Sequence, residues 1–280
     1  MCGRYTVVSK VSTIEKKFKV LNSENFGTTP IVNVSVGMRA PVITSKNPHE
    51  LQWFQFGLTP HWAKKNMYLF NARAEGDHNK DDLADYHGKM GIIDKPAFRR
   101  SIRLQRCLII ADAFVEGPKS VGLDKPFLLF LRDSERPFAM AGIWDEWTNE
   151  STGEIIRSYG IITVAANNLL RMIGHPRCPV ILEHDLERDW LNPDLPLTNV
   201  LDLLTVPDDS RMNGYPISSK IKSAKEQDLS MLLPIGERLL PEWTLDISHD
   251  LKLFGMGETN SRRKRNIPPS ENGQLDMFGA

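Results

Sequence analysis

Cysteine is scarce in this chain. The 280 residues hold three, Cys2, Cys107 and Cys178, far apart and in no CxxC spacing, which excludes a disulfide framework and a cysteine-built structural zinc site. Charge of one sign is missing too: 35 Lys and Arg balance 35 Asp and Glu. No global field therefore draws the chain to a polyanion or a bilayer, and any anion site has to be a local patch. There is no run of about 18 apolar residues to span a membrane and no early apolar stretch of signal-peptide type. A cytoplasmic monomer with no membrane partner, no metal and no cofactor is expected. What remains is ordinary globular composition, 41% apolar and 25% charged, enough to bury a good core at this length.

The periodicities point to an α+β class with a sheet-dominated core. MCGRYTV alternates like a strand, and Val11, Ile14, Phe18 and Leu21 then recur at helical spacing, with Ser12 and Glu15 placed as a capping box. Residues 107–116, 127–132, 137–144 and 155–166 are apolar runs separated by polar or Gly/Pro turns, a pattern that reads as an antiparallel meander. Short helices are expected over 167–173, 184–191 and 223–233, the last with Ser223 and Glu226 as a second capping box and Pro234 as its stop. The apolar pattern fails near Gly255, so a single domain over 1–254 and a disordered tail over 255–280 are expected.

Four short islands hold residue types suited to cysteine and aldehyde chemistry. Cys2 opens the chain with Gly3 and Arg4; FNARAE carries Asn71, Arg73 and Glu75 on one face if extended; ADAFVEG ends an apolar run on Glu116; and MIGHPRCPVIL sets His175 and Arg177 before another run. Each has a plain structural alternative. Cys2 is as readily an inert small residue, Glu116 a solvated strand end, His175 a turn residue, and Trp62 in GLTPHWAK a core aromatic.

Taken in order, MCGRY, GLTPHWAK, FNARAE, RCLIIADAFVEG, HPRCPVIL and YPISSKI resemble the SRAP family, the SOS response-associated peptidases that shield abasic sites in DNA. The resemblance runs from residue 2 to about residue 222. It implies a mainly antiparallel, barrel-like core with flanking short helices, and covalent capture of abasic sites in single-stranded DNA. An N-terminal cysteine exposed by loss of Met1 offers an amine and a thiol, which close with an aldehyde into a thiazolidine. The resemblance makes Cys2 the nucleophile, Asn71 its hydrogen-bonding partner, Glu116 the proton carrier and His175 a near-neutral acid or base. Arg4, Arg73 and Arg177 become phosphate contacts, Trp62 a stacking aromatic, and the expected location the cytoplasm, at damaged nucleoid. A nearby cation or helix end is expected to lower the thiol pKa. Thiol autopeptidase, hydrolase and lyase activity are implied for the cross-linking protein as well. Two other readings use the same residues: an N-terminal-nucleophile cysteine peptidase, acting on itself or on protein substrates, and a non-covalent damaged-DNA binding module.

Three departures from the family pattern stand out. VNVSVG replaces an NVAPG-like stretch, keeping Asn33 and Gly37. Gly117 stands where a tryptophan usually follows the glutamate. Pro176 replaces the aspartate of a His-Asp-Arg motif, which removes a residue that would orient the histidine. In the tail, Gln274, Leu275, Met277 and Phe278 form QLDMF, which matches the short peptide by which bacterial repair proteins dock on the DNA sliding clamp, and RRKR upstream suits DNA phosphates.

Overall fold

The computed structural model describes residues 2–23, 27–132 and 136–241. The domain boundary expected at 254, and Gln274, Leu275, Met277 and Phe278 with it, lie outside the described residues. Thirteen strands run in chain order through them: β1 (Arg4–Val7), β2 (Ile31–Ser35), β3 (Arg39–Thr44), β4 (Gln52–Phe56), β5 (Asn71–Arg73), β6 (Arg106–Ala111), β7 (Ala113–Glu116), β8 (Phe127–Leu131), β9 (Phe138–Thr148), β10 (Ile155–Ala165), β11 (Arg177–Pro179), β12 (Ile181–Leu182) and β13 (Met212–Pro216). The helices are short: α1 (Val11–Phe18), α2 (Ser101–Leu104), α3 (Asn168–Met172), α4 (Glu187–Leu191) and α5 (Leu197–Asp202).

Five strands close on themselves. β4 pairs with β3, β3 with β6, β6 with β9 and β9 with β10, all antiparallel, and β10 returns to β4 in parallel through Ser158↔Gln55 and Tyr159↔Phe56. Closure removes the free edges that an open sheet would expose. Past the end of β4, β5 joins β10 in parallel, setting Asn71 beside Ile161 and Arg73 beside Thr163, while β11 pairs along the last residues of β10. A second, five-stranded sheet runs β13-β8-β7-β1-β2.

The single meander expected from the apolar runs is therefore divided between two sheets. Asp112 makes the division: β6 ends at Ala111 in the barrel, and β7 begins at Ala113 in the other sheet. The Asp112 carboxylate accepts from the amides of Val8 and Ser9 at 2.7 Å each and from the Ser9 hydroxyl. Its backbone amide donates to the Thr6 carbonyl at 2.9 Å. A buried carboxylate so satisfied turns the chain and ties the end of β1 to the start of β7. Tyr5 on β1 then reaches the barrel, its ring edge-on to Phe56 and its hydroxyl against that of Tyr159.

Two helix expectations change. The capping box at Ser12 does not form: Lys10 is the N-cap, and the Glu15 carboxylate accepts from the Asn22 amide at 2.8 Å instead. α1 stops at Phe18 because Lys19 turns left-handed at φ 55°. No α-helix covers 223–233; one 3-10 turn, Ser219–Lys222, precedes that stretch and another, Leu229–Leu232, lies within it. The reason is Asn33, whose side-chain amide donates to the carbonyls of Ile221, Ser223 and Glu226, groups a helix would need for itself. No helix among the described residues is long and apolar enough to cross a membrane.

Candidate active site

Four distant segments meet where β1, β5, β7 and the approach to β11 converge. Cys2 is 1% exposed, and the side-chain amide of Asn71 donates to its carbonyl at 3.3 Å. The Cys2 thiol hydrogen-bonds to Glu116, the last residue of β7. Glu116 Oε2 in turn lies 3.2 Å from His175 Nε2. The Cys2, Asn71, Glu116 and His175 expected from sequence are thus one contiguous cluster.

The histidine tautomer follows from geometry. His175 Nδ1 sits 2.7 Å from the Gly117 carbonyl, and a carbonyl only accepts, so Nδ1 carries the proton and Nε2 presents a lone pair to Glu116. A lone pair facing a carboxylate is unfavourable, and burial adds to it. Burial pushes Glu116 up to about 7 and His175 down to about 4. The resting pair is a neutral acid donating to a neutral imidazole. Gly117 and Pro176 are thereby explained together. The backbone of Gly117 orients the imidazole where an aspartate was expected, and a β carbon at Gly117 would lie 2.0 Å from the Gly122 carbonyl, so no tryptophan fits.

The expected low thiol pKa is not found. Burial and the neighbouring Glu116 carboxylate push the Cys2 thiol well up, so it rests as a thiol.

Arg177 is held by protein partners. It is 3% exposed, with Nη1 and Nη2 on the two Glu75 carboxylate oxygens at 3.1 and 2.7 Å, a further bond to the Thr163 carbonyl, and Asp82 Oδ1 at 3.0 Å. Burial alone would push Glu75 up, but Arg177 outweighs it and holds the carboxyl below its ordinary value. Arg177 clamps β11 to the turn after β5 and is not open to a phosphate in this state. Arg73 is half-exposed and donates to the Asn79 carbonyl and to Asp82.

Beside the cluster opens a cleft of ≈ 580 Å³ with Glu116 and His175 in its wall and Arg4, Lys119 and Lys222 around it. Arg4 is fixed by bonds to the carbonyls of Gly3 and Lys222. Lys119 and Lys222 were missed from sequence; the available signal was their position two residues after the ADAFVEG island and one after the YPISSKI island. Trp62 is 51% exposed on an anchored loop. Its neighbour His61 bonds to buried Asp145 through both backbone and ring, and the Ala63 carbonyl accepts from Trp147. The core alternative for Trp62 is therefore set aside. Among the described residues no cluster of His, Cys, Asp and Glu could hold a metal ion.

Known proteins resemble this chain in sequence and fold. The abasic site processing protein YoaM of Bacillus subtilis (strain 168) is 32% identical over 238 residues, covering 83% of this chain and 97% of that protein. The abasic site processing protein YoqW of the same organism is 30% identical over 238 residues, 83% of this chain and 99% of that one. A crystal structure of a protein from Bacteroides thetaiotaomicron superimposes with a TM-score of 0.69 at 26% identity, covering 83% of this chain and 99% of that one. Another, from Bordetella bronchiseptica, shares the fold with a TM-score of 0.61 at 23% identity, covering 78% and 100%. The family model for SOS response associated peptidase (SRAP) matches residues 1–224, and the chain belongs to that family.

Proposed function

We propose that the protein captures ring-opened abasic sites in single-stranded DNA through the thiol and α-amine of Cys2, after loss of Met1. The observation that carries this reading is the convergence of Cys2, Asn71, Glu116 and His175 from four segments onto one buried spot beside a cationic cleft. A terminal α-amine has an ordinary pKa of about 8, and Glu116, which burial holds at about 7, takes its proton in the ionised form that it reaches near neutral pH. The neutral amine adds to the aldehyde carbon, forming C–N. A proton moves from the new ammonium to the alkoxide, and Glu116, now protonated, gives its proton to the departing hydroxyl, so that water leaves and a protonated imine remains. The thiol sulfur adds to the imine carbon, its proton passes to Glu116, and the five-membered ring closes on a neutral nitrogen. Asn71 holds the Cys2 carbonyl so that amine and thiol stay over the carboxylate. His175, with its lone pair on Oε2, exchanges the proton with Glu116 and serves the reverse step. Arg4, Arg73, Lys119 and Lys222 supply phosphate contacts and Trp62 a stacking face.

The peptidase reading has less support. Cysteine hydrolysis at neutral pH uses a thiolate held by an imidazolium, whereas here the imidazole faces Glu116, resists protonation, and the thiol pKa is raised. Incubation with abasic single-stranded DNA is expected to give a species that survives denaturing electrophoresis, with the mass of the chain lacking Met1, plus DNA, minus one water. Cys2→Ala is expected to abolish it; persistence of the adduct in that variant overturns the mechanism.

The tail adds a delivery route. Gln274, Leu275, Met277 and Phe278 are read as a docking peptide for a bacterial sliding clamp. A peptide over residues 272–280 is expected to bind clamp at roughly micromolar strength, and Leu275→Ala with Phe278→Ala to remove binding while sparing cross-linking.

A further inference from the structure

Outside the reacting cluster, three arginines close on one aspartate. Asp82 Oδ1 accepts from Arg73 Nη2 at 2.8 Å and from Arg177 Nη1 at 3.0 Å, and its backbone carbonyl accepts from Arg171 Nη2 at 2.7 Å. Asp82 lies on a turn that projects beyond β5, and that turn is built to present it. The buried side chain of Asn79 bonds to both the amide and the carbonyl of Leu83 at 2.9 Å. Asp82 itself adopts a left-handed backbone at φ 53°, a conformation that costs a residue with a β carbon energy and marks a constrained position. The turn is held by close approach as well: a β carbon on Gly91 would lie 2.7 Å from the Glu75 carbonyl.

Charge counting makes the arrangement informative. Glu75 already satisfies Arg177 with a bidentate pair, so the Asp82 carboxylate is a second anion on the same group of guanidiniums. A carboxylate oxygen shared between two arginine forks presents what a phosphodiester oxygen would present. Asp82 is only partly covered, its side chain 16% exposed, and sits on a surface turn that can swing without opening the core.

We propose that Asp82 is a resident stand-in for a DNA phosphate: single-stranded DNA displaces its carboxylate from Arg73 and Arg177, and until then the aspartate holds the arginines in place and competes with weakly bound polyanion. The inference rests on the DNA-capture reading above and adds to it an internal competitor that selects for strands able to displace it. Displacement leaves Arg73 with only its bond to the Asn79 carbonyl and frees the side of Arg177 Nη1 that faced Asp82, while Glu75 continues to neutralise the buried remainder.

The test uses the full chain carrying Cys2→Ala, so that binding is non-covalent, with fluorescent single-stranded oligonucleotides. Asp82→Asn keeps shape, suits the left-handed backbone and removes the charge. It is expected to tighten binding by about 3- to 10-fold at low salt, the net size of one ordinary hydrogen bond. Asp82→Glu, which keeps a competing carboxylate, is expected to bind like the parent. Glu150→Gln, in the exposed turn between β9 and β10, changes net charge equally and is expected to leave affinity where it is. Unchanged or weaker binding by Asp82→Asn, or equal tightening by Glu150→Gln, overturns the stand-in while leaving the capture reading intact. Absence of DNA binding by the parent and every variant overturns both.

Discussion

Glu116 and His175 carry the chemistry in the proposed capture, and their pairing has a signature in stability. In the folded protein burial holds Glu116 up at about 7 and His175 down at about 4. Between those values the folded pair holds one proton, on the carboxyl. Unfolded, with ordinary pKa values of about 4.3 and 6.5, the pair is a carboxylate and an imidazolium, also one proton. Protons bound are equal in the two states, so the pair adds almost no pH slope to wild-type stability in that window. Removing either partner exposes the other. In His175→Gln the unfolded chain loses the Glu116 proton well before the folded one does, so stability falls as pH rises from about 4.5 to 7, by on the order of 3 kcal/mol. In Glu116→Gln the unfolded chain takes up the His175 proton first, so stability falls as pH drops from about 6.5 to 4. Urea midpoints across this range check both signs, and parallel profiles for wild type and the two variants would refute a neutral pair. In the proposed mechanism Glu116 also sets the rate. Glu116→Gln is expected to slow capture ~10²- to 10⁴-fold and to erase an inflection near pH 7 in single-turnover measurements.

At the level of elements, the position of Cys2 depends on one turn. β1 is four residues long, too short to fix its own register, and it is pinned to β7 by Asp112 through Val8, Ser9 and Thr6. Burial pushes the Asp112 carboxyl up, though its hydrogen bonds oppose this. Asp112→Ala orphans two backbone amides and is expected to cost roughly 3 kcal/mol or more. Asp112→Asn is expected to recover part of that and to capture slowly, because β1 then carries Cys2 less firmly over Glu116. Thermal melts and single-turnover capture on the same samples check the coupling. Full capture in a destabilised Asp112 variant would show that β1 is held by other means. Asp112 also marks where sequence reading stops. The chemistry-bearing islands and the first strand are legible because residue type and alternation are local properties. That CLIIADAFVE is two strands in two sheets is not, since a single aspartate in an apolar run carries no periodicity signal. Ring closure through the parallel β4–β10 pair joins segments some hundred positions apart and leaves no local trace. Arg177 looks like a phosphate contact in sequence because its partners, Glu75 and Asp82, are brought to it only by folding.

For the molecule as a whole, zero net formal charge means that DNA affinity has to come from a few contacts. Arg4, Lys119 and Lys222 border the cleft next to the reacting cluster, and Lys222 already shares its charge with Asp124 at 2.6 Å, which makes its contribution the smaller. Each phosphate neutralised on a single strand contributes about −0.7 to the slope of log K against log salt. Two to four contacts therefore predict a slope of about −1.5 to −3, shallow beside proteins that bind nucleic acid through a basic face. Replacing Lys119 and Lys222 with glutamine is expected to flatten it by about 1, with unchanged unfolding midpoints because both side chains lie on the surface. Trp62 acts through a different force. In the proposed complex its exposed ring stacks on a base, so Trp62→Ala is expected to lower affinity by about 1–3 kcal/mol at every salt concentration and leave the slope unaltered. Fluorescence titrations of single-stranded DNA over a salt series, in the Cys2→Ala background, separate the two effects. A parallel downward shift for Trp62→Ala together with a shallower line for the lysine pair is the expected pattern. A changed slope for Trp62→Ala would mean that its loop also positions a phosphate contact, and an unchanged slope for the lysine pair would remove the cleft from the path of the strand.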